Sequence, residues 1–270
     1  MLKKIISVVL CLFPVTSIAA TVVDINATDE DASVSVDSVW DDAVSAGNTI
    51  RISTGAGINA GTGLDINGIV QVGTPSNAGL GTSNNLYVMQ SDNVATDFVI
   101  STGGDVSIGT LLQVLNAYNL EVSIMSGTNA DFSVGAIEVG SNQSAAKLSI
   151  LGFDNLQSTG TITTYGDLDV NVGAMRTGSM NLFAGNTDID VTNGDLVVNG
   201  DIAKLSAEEV DIISSQHIQI TGDLQNNSGQ MDLSAGDTIS VGGSFENLGD
   251  MRVKAKNLVV DGTMNNTGDG

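Results

Sequence analysis

A phrase of about twenty residues recurs along the C-terminal half of this chain, and it restricts the fold more than any other feature. It reads GDLQNNSG from Gly222, GSFENLG from Gly243 and GTMNNTG from Gly262. Aligned on the opening glycine, Gly160, Gly178, Gly200, Gly222, Gly243 and Gly262 are spaced by 18, 22, 22, 21 and 19 residues. The next position holds Thr161, Ser179, Asp201, Asp223, Ser244 and Thr263, all small and polar. The one after it holds Ile162, Met180, Ile202, Leu224, Phe245 and Met264, all apolar. A fixed period with drifting length is the signature of a solenoid.

Between the glycines, apolar and polar residues alternate. Leu168, Val170 and Val172 share one face of LDVNV; Ile189 pairs with Val191, and Ile218 with Ile220. Leu196 with Val198, Met231 with Leu233, Met251 with Val253 and Leu258 with Val260 repeat the pattern. A period of two means strands with one face buried. Runs of three to five residues put two or three short strands in each period. A coil of about twenty residues closes if strands of successive coils pair in parallel, ~4.8 Å apart. The expected fold is therefore all-β, a parallel β-helix. Its inward residues stack as the ladder Ile162, Met180, Ile202, Leu224, Phe245 and Met264. Such a slot asks for apolar volume, so identity drifts while type holds. The recurring glycine is read as a corner that needs positive φ. Asn226, Asn247 and Asn266, each four residues after its glycine, are read as an asparagine ladder along one corner.

The first half is harder to phase. Alternation continues in residues 50–53, 64–66, 69–72, 98–100, 106–108, 120–124, 136–139 and 147–150, while the turn-rich GTPSNAGLGTSNN (73–85) is expected to leave the coil as a loop. One stretch has helical spacing. Ser38 is an N-cap, Asp41 follows three residues later, Gly47 is the stop, and Val39, Trp40, Ala43 and Val44 form one apolar face. A short helix there would cover the open N-terminal end of a solenoid, with Trp40 packed in the cap.

Residues 1–20 carry a positive start (Lys3, Lys4), a short apolar run and a small-residue cleavage site ending at Ala20, the layout of a secretory signal peptide. The expected organisation is a signal peptide over 1–20, a cap region with its short helix over 21–47 and the β-helix over 48–270. Cys11 lies in the leader and is the only cysteine, so an exported chain would rest on packing and hydrogen bonds rather than disulfides. Beyond the leader nothing is apolar enough for a membrane helix. The net charge is −22, and about −24 without Lys3 and Lys4. Such a surface repels nucleic acid and anionic lipid and solvates the chain; divalent-cation binding is the sharper alternative reading.

GDL–NNSG followed by MDLSAGDTISV and GSFENLG resembles the right-handed parallel β-helices of filamentous-haemagglutinin-like adhesins and autotransporter passengers, most clearly over residues 160–270. The helix and GNTIRIS (47–53) look like the cap and first strand of many exported β-helices. The resemblance implies a right-handed coil, a secreted or cell-surface location on a bacterium, and binding to a host or cell-surface protein or glycan without catalysis.

The alternative is a carbohydrate-active β-helix enzyme, a polysaccharide lyase or hydrolase. Of the motifs NxD, DD, GHG and RxK that such hydrolases share, Arg252-Val253-Lys254 supplies RxK, His217 has no glycine beside it, and Asp41-Asp42 sits on the expected helix. Asp167 with Asp169 and Asp188 with Asp190 form i, i+2 carboxylate pairs whose bland reading is a solvated strand face. No phosphate loop occurs. No second histidine joins His217 as a metal ligand. No cofactor, metal or catalytic residue is assigned. Because GTMNNTGDG stops within a phrase, the last coil is expected to lead into further chain or to stack end to end on another copy.

Overall fold

The structure is a computed structural model. It describes the strands Val22–Asn26, Ser33–Ser35, Thr49–Ser53, Gly57–Ala60, Leu64–Ile66, Ile69–Val72 and Asn85–Met89 and, apart from 116–118, 125–128 and 142–145, the chain from residue 97 to 268. The expected signal peptide and the cap residues Ser38, Trp40 and Gly47 lie outside the described residues.

The chain is an all-β parallel solenoid of about seven coils of ~21 residues. Every strand pairing in the regular half is parallel and joins each coil to the next. Each coil has three strand-bearing faces. The first carries Asp167–Thr177 (its leading half), Thr187–Val191, Glu209–Ser214, Gln230–Ala235 and Asp250–Lys254. The second carries Leu196–Val198, Ile218–Ile220, Thr238–Val241 and Asn257–Val260. The third carries the repeated phrase itself, as Ile162–Thr164, Met180–Leu182, Ile202–Lys204, Leu224–Asn226, Phe245–Asn247 and Met264–Asn266. Among the described residues there is no helix, so none is long and apolar enough to cross a membrane.

The alternation seen in sequence is the inside–outside alternation of these strands. Ile162, Met180, Ile202, Leu224 and Phe245 are register partners in succession and are buried. Leu112 and Ile137 continue their column toward the N-terminus. Met264 occupies the next register position, on the last of the described strands, and is 59% exposed. Earlier in the core, Phe132 and Phe153 meet edge to face with ring centroids 5.3 Å apart.

Positive φ does not explain the phased glycines. Among the described residues the glycines with positive φ are Gly140, Gly152, Gly185 and Gly229, none of which opens a phrase. At the phased positions the cause is close approach of the coil beneath. A Cβ on Gly160 would lie 2.6 Å from the Gly135 carbonyl oxygen, and one on Gly262 would lie 2.5 Å from that of Gly243. The backbone also bonds along this column, with Gly222 N–H donating to Gly200 O at 3.0 Å and Gly243 N–H to Gly222 O at 2.9 Å.

The first half resists phasing for a topological reason. Asn85–Met89 pairs with Thr49–Ser53 on one side and with Ile69–Val72 on the other, so it lies between two strands that precede it in sequence. Coil order and chain order therefore differ there. Of the expected loop 73–85, only Asn85 is described, and it begins this strand.

Candidate functional site

At Ser179, Asp201 and Asp223 the small polar residue after the phased glycine has a defined task. Its side-chain oxygen accepts the backbone N–H of the same position one coil on. Ser179 Oγ accepts from Asp201 N at 3.2 Å, Asp201 Oδ1 from Asp223 N at 2.8 Å, and Asp223 Oδ1 from Ser244 N at 2.7 Å. The same device operates at the other corners, where Asp167 Oδ1 accepts from Asn186 N at 2.9 Å and Asp195 Oδ1 from His217 N at 3.1 Å. Asp167, Asp195, Asp201 and Asp223 are thus engaged with backbone amides where strands begin.

The carboxylates that come together do so across coils. On the first face Asp169, Asp188, Asp211 and Asp232 are successive register partners, and Arg252 ends the row 3.5 Å from Asp232. Loss of water against the sheet raises the Asp188 carboxyl above its ordinary value, and the charges of Asp169, Asp190 and Glu209 add to the effect. Asp211 is raised by the same loss of water and by Asp188, Asp232, Glu209 and Asp190. The i, i+2 partners are engaged elsewhere: Asp167 as a corner acceptor, and Asp190 as acceptor from Asn171 Nδ2 at 3.4 Å. Arg252 of the RxK motif faces Asp232, while Lys254 partners Ser234 in register. His217 Nδ1 lies 3.7 Å from Asp237, which Lys256 also approaches at 3.4 Å. Among the described residues no group of three or more His, Cys, Asp or Glu side chains is arranged to hold a metal ion.

The last residue of each strand on the third face forms a second column, polar at every position but Leu182. Thr164, Leu182, Lys204, Asn226, Asn247 and Asn266 are successive partners there. Asn226 Nδ2 donates to Asn247 Oδ1 at 2.9 Å, and Asn247 Nδ2 to Asn266 Oδ1 at 2.8 Å. Asn226 and Asn247 are buried, whereas Asn266 is exposed on the last coil. Lys204 is fully buried in the same column, and its Nζ donates to the Ser228 carbonyl. Burial pushes the lysine below its ordinary value. Beside it, Asn226 Oδ1 has no donor among the described residues.

The second face carries a cleft of about 740 Å³ that crosses five coils. Its hollow follows from small side chains at outward positions, namely Ser107, Ser133, Ala174 and Gly194. Along its middle Ser133, Gln157, Arg176 and Val197 are successive register partners. Beside that row the polar groups are tied together: Asp105 Oδ1 accepts from Asp131 N at 2.9 Å, and Asp131 Oδ1 from Asn155 Nδ2 at 2.7 Å. Gln157 and Arg176 are exposed and make no side-chain hydrogen bond or ion pair among the described residues.

Neither the cleft nor Lys204 was singled out in sequence. The cleft lies largely in the unphased part of the chain, and its residues belong to five different coils. For Lys204 a signal was present, since it falls four residues after Gly200, the offset that defines the three asparagines.

No family model, no curated protein and no solved structure matches this chain.

Proposed function

We propose that this chain is an exported, non-catalytic β-solenoid that acts in structure and adhesion at the cell surface. The observation that carries the reading is the assignment of its polar groups. Coil after coil, carboxylates and hydroxyls accept backbone amides of the next coil, so they lengthen and stiffen a rod instead of converging on a reacting atom. The leader-like first twenty residues support export, and the net charge of −22 supports a well-solvated surface. The likeness of the repeated phrase to adhesin β-helices points the same way.

A second reading, a carbohydrate-active enzyme, draws on the cleft with Asp105, Asp131, Asp195 and Arg176. Against it, each of the three aspartates already accepts a hydrogen bond that ties one coil to the next. The test is to express the full chain in a non-adherent bacterial host. Surface labelling with antibody and a gain in attachment to cells are expected. Intracellular retention, or release of reducing ends from polysaccharides incubated with the chain, would overturn the reading.

A further inference from the structure

We infer that the cleft on the second face is a binding site for a neutral oligosaccharide; this rests on the adhesive reading above and names the ligand class for it. Three observations lead there. The cleft has the volume of a small-molecule site, about 740 Å³, and its lining mixes hydrogen-bonding side chains such as Asp105, Asn155 and Gln157 with apolar surface in nearly equal measure. Such a lining suits a ligand that offers hydroxyls along its length beside apolar C–H surface, as a sugar ring does.

The second observation is that four of the cleft's polar side chains are fixed. Asp105, Asp131 and Asn155 hold one another at 2.9 and 2.7 Å from coil to coil, so their remaining lone pairs and N–H groups point from a preorganised edge. Asp195 is held in the same way by the His217 amide. Beside this edge, Gln157 and Arg176 sit on adjacent coils with their hydrogen-bonding capacity unspent. Amide, guanidinium and carboxylate groups together supply the paired donors and acceptors that vicinal hydroxyls require.

Third, charge selects among glycans. Three aspartates surround one arginine in a chain of net charge −22, which disfavours a sulfated or uronic-acid polymer. The same acidity leaves a neutral sugar unaffected. Register partners repeat at the ~4.8 Å spacing of paired strands, so a linear oligosaccharide that crosses the coils meets Ser133, Gln157 and Arg176 in turn.

The full chain would be applied to a glycan array that carries neutral, sialylated, sulfated and uronic-acid oligosaccharides. Binding to neutral members is expected. It should fall at least tenfold in Gln157→Ala and in Arg176→Ala, whose side chains are exposed and whose thermal unfolding should match that of the parent. Ser133→Tyr, which fills the hollow from its floor, should abolish binding. Retention of only acidic glycans, capture of basic peptides in place of glycans, or neutral-glycan binding that survives all three substitutions would overturn the assignment. Running the cell-attachment assay on the same variant separates it from the adhesive reading: attachment that persists in Ser133→Tyr sinks the cleft as the site and leaves adhesion standing.

Discussion

Asn226 and Asn247 occupy the same inward position one coil apart, and the amide of the first donates to the carbonyl oxygen of the second at 2.9 Å inside the barrel of the solenoid. The geometry is that of a rung-to-rung ladder, in which parallel pairing places identical side chains directly over one another. Replacing Asn247 with Leu removes one of three acceptors of the Asn226 amide, leaving the Gly229 and Asp250 carbonyls at 3.3 and 3.0 Å, and should cost about 1 kcal/mol. Replacing both with Leu removes donor and acceptor together and packs two apolar side chains against each other between Lys204 and Asn266. Chemical denaturation of the two single variants and the double variant should show a double-variant cost well below the sum of the singles, a coupling of about 0.5 kcal/mol or more.

Leu224 and Asp223 are neighbours in sequence with opposite roles. Leu224 is fully buried between Ile202 and Phe245, and Asp223 accepts the Ser244 amide at a corner. Leu224→Asp puts an unpaired charge into the column and should cost more than about 4 kcal/mol. Asp223→Ser keeps an acceptor of the kind Ser179 supplies two coils earlier and should stay within about 1 kcal/mol. Thermal unfolding followed by circular dichroism separates the two, and equal effects would mean the coil is phased wrongly.

Lys204 interrupts the amide column at the point where Asn226 Oδ1 lacks a donor. In the ladder each asparagine donates to the next coil, so Lys204→Asn places an amide N–H under that oxygen. The variant should be more stable at neutral pH by about 1–2 kcal/mol. The lysine's folded-state affinity for protons lies below its ordinary value of 10.5. The folded state therefore binds fewer protons than the unfolded one over that interval, and parent stability rises as pH climbs toward 10.5. The advantage of Lys204→Asn should shrink over the same range, as guanidinium unfolding at several pH values will show.

The carboxylate row on the first face has the opposite pH dependence. Asp188 and Asp211 are raised above 3.8, so the folded state binds more protons than the unfolded one above that value. Parent stability should fall as pH rises from 3.8 through the raised folded values, then level off. Asp211→Asn should flatten this dependence and add about 0.5 kcal/mol at neutral pH and low salt, a gain that added salt screens. Melting temperatures across pH and ionic strength check both signs.

The solenoid was legible in sequence because its period is enforced by contacts that each coil repeats. An apolar slot such as that of Leu224 and Phe245 and a corner acceptor such as Asp201 must recur, or the next coil cannot dock. Glycine recurrence was legible as well, but its cause was not: sequence cannot distinguish a backbone that needs positive φ from one that a neighbouring carbonyl crowds, as Gly135 O crowds Gly160. The order of the first coils was hidden, because the strand Asn85–Met89 inserts between two that come before it. The cleft was hidden for a related reason. Asp105, Asp131, Asn155 and Arg176 are far apart in sequence and carry no shared motif, and only the stacking of coils brings them to one surface.

The in-register stacking of coils is tested most directly by cysteine cross-linking on the third face. Ala203, Gln225 and Glu246 are successive register partners at non-inward positions. Adjacent parallel strands lie ~4.8 Å apart, within disulfide reach, whereas two coils span about twice that distance. In a background of Cys11→Ser, which removes the chain's only native cysteine, the pair Gln225→Cys with Glu246→Cys should oxidise to an intramolecular disulfide. The pair Ala203→Cys with Glu246→Cys should remain as free thiols under the same conditions. Free thiols in the first pair, or a ready disulfide in the second, would contradict the stacking of one repeat on the next.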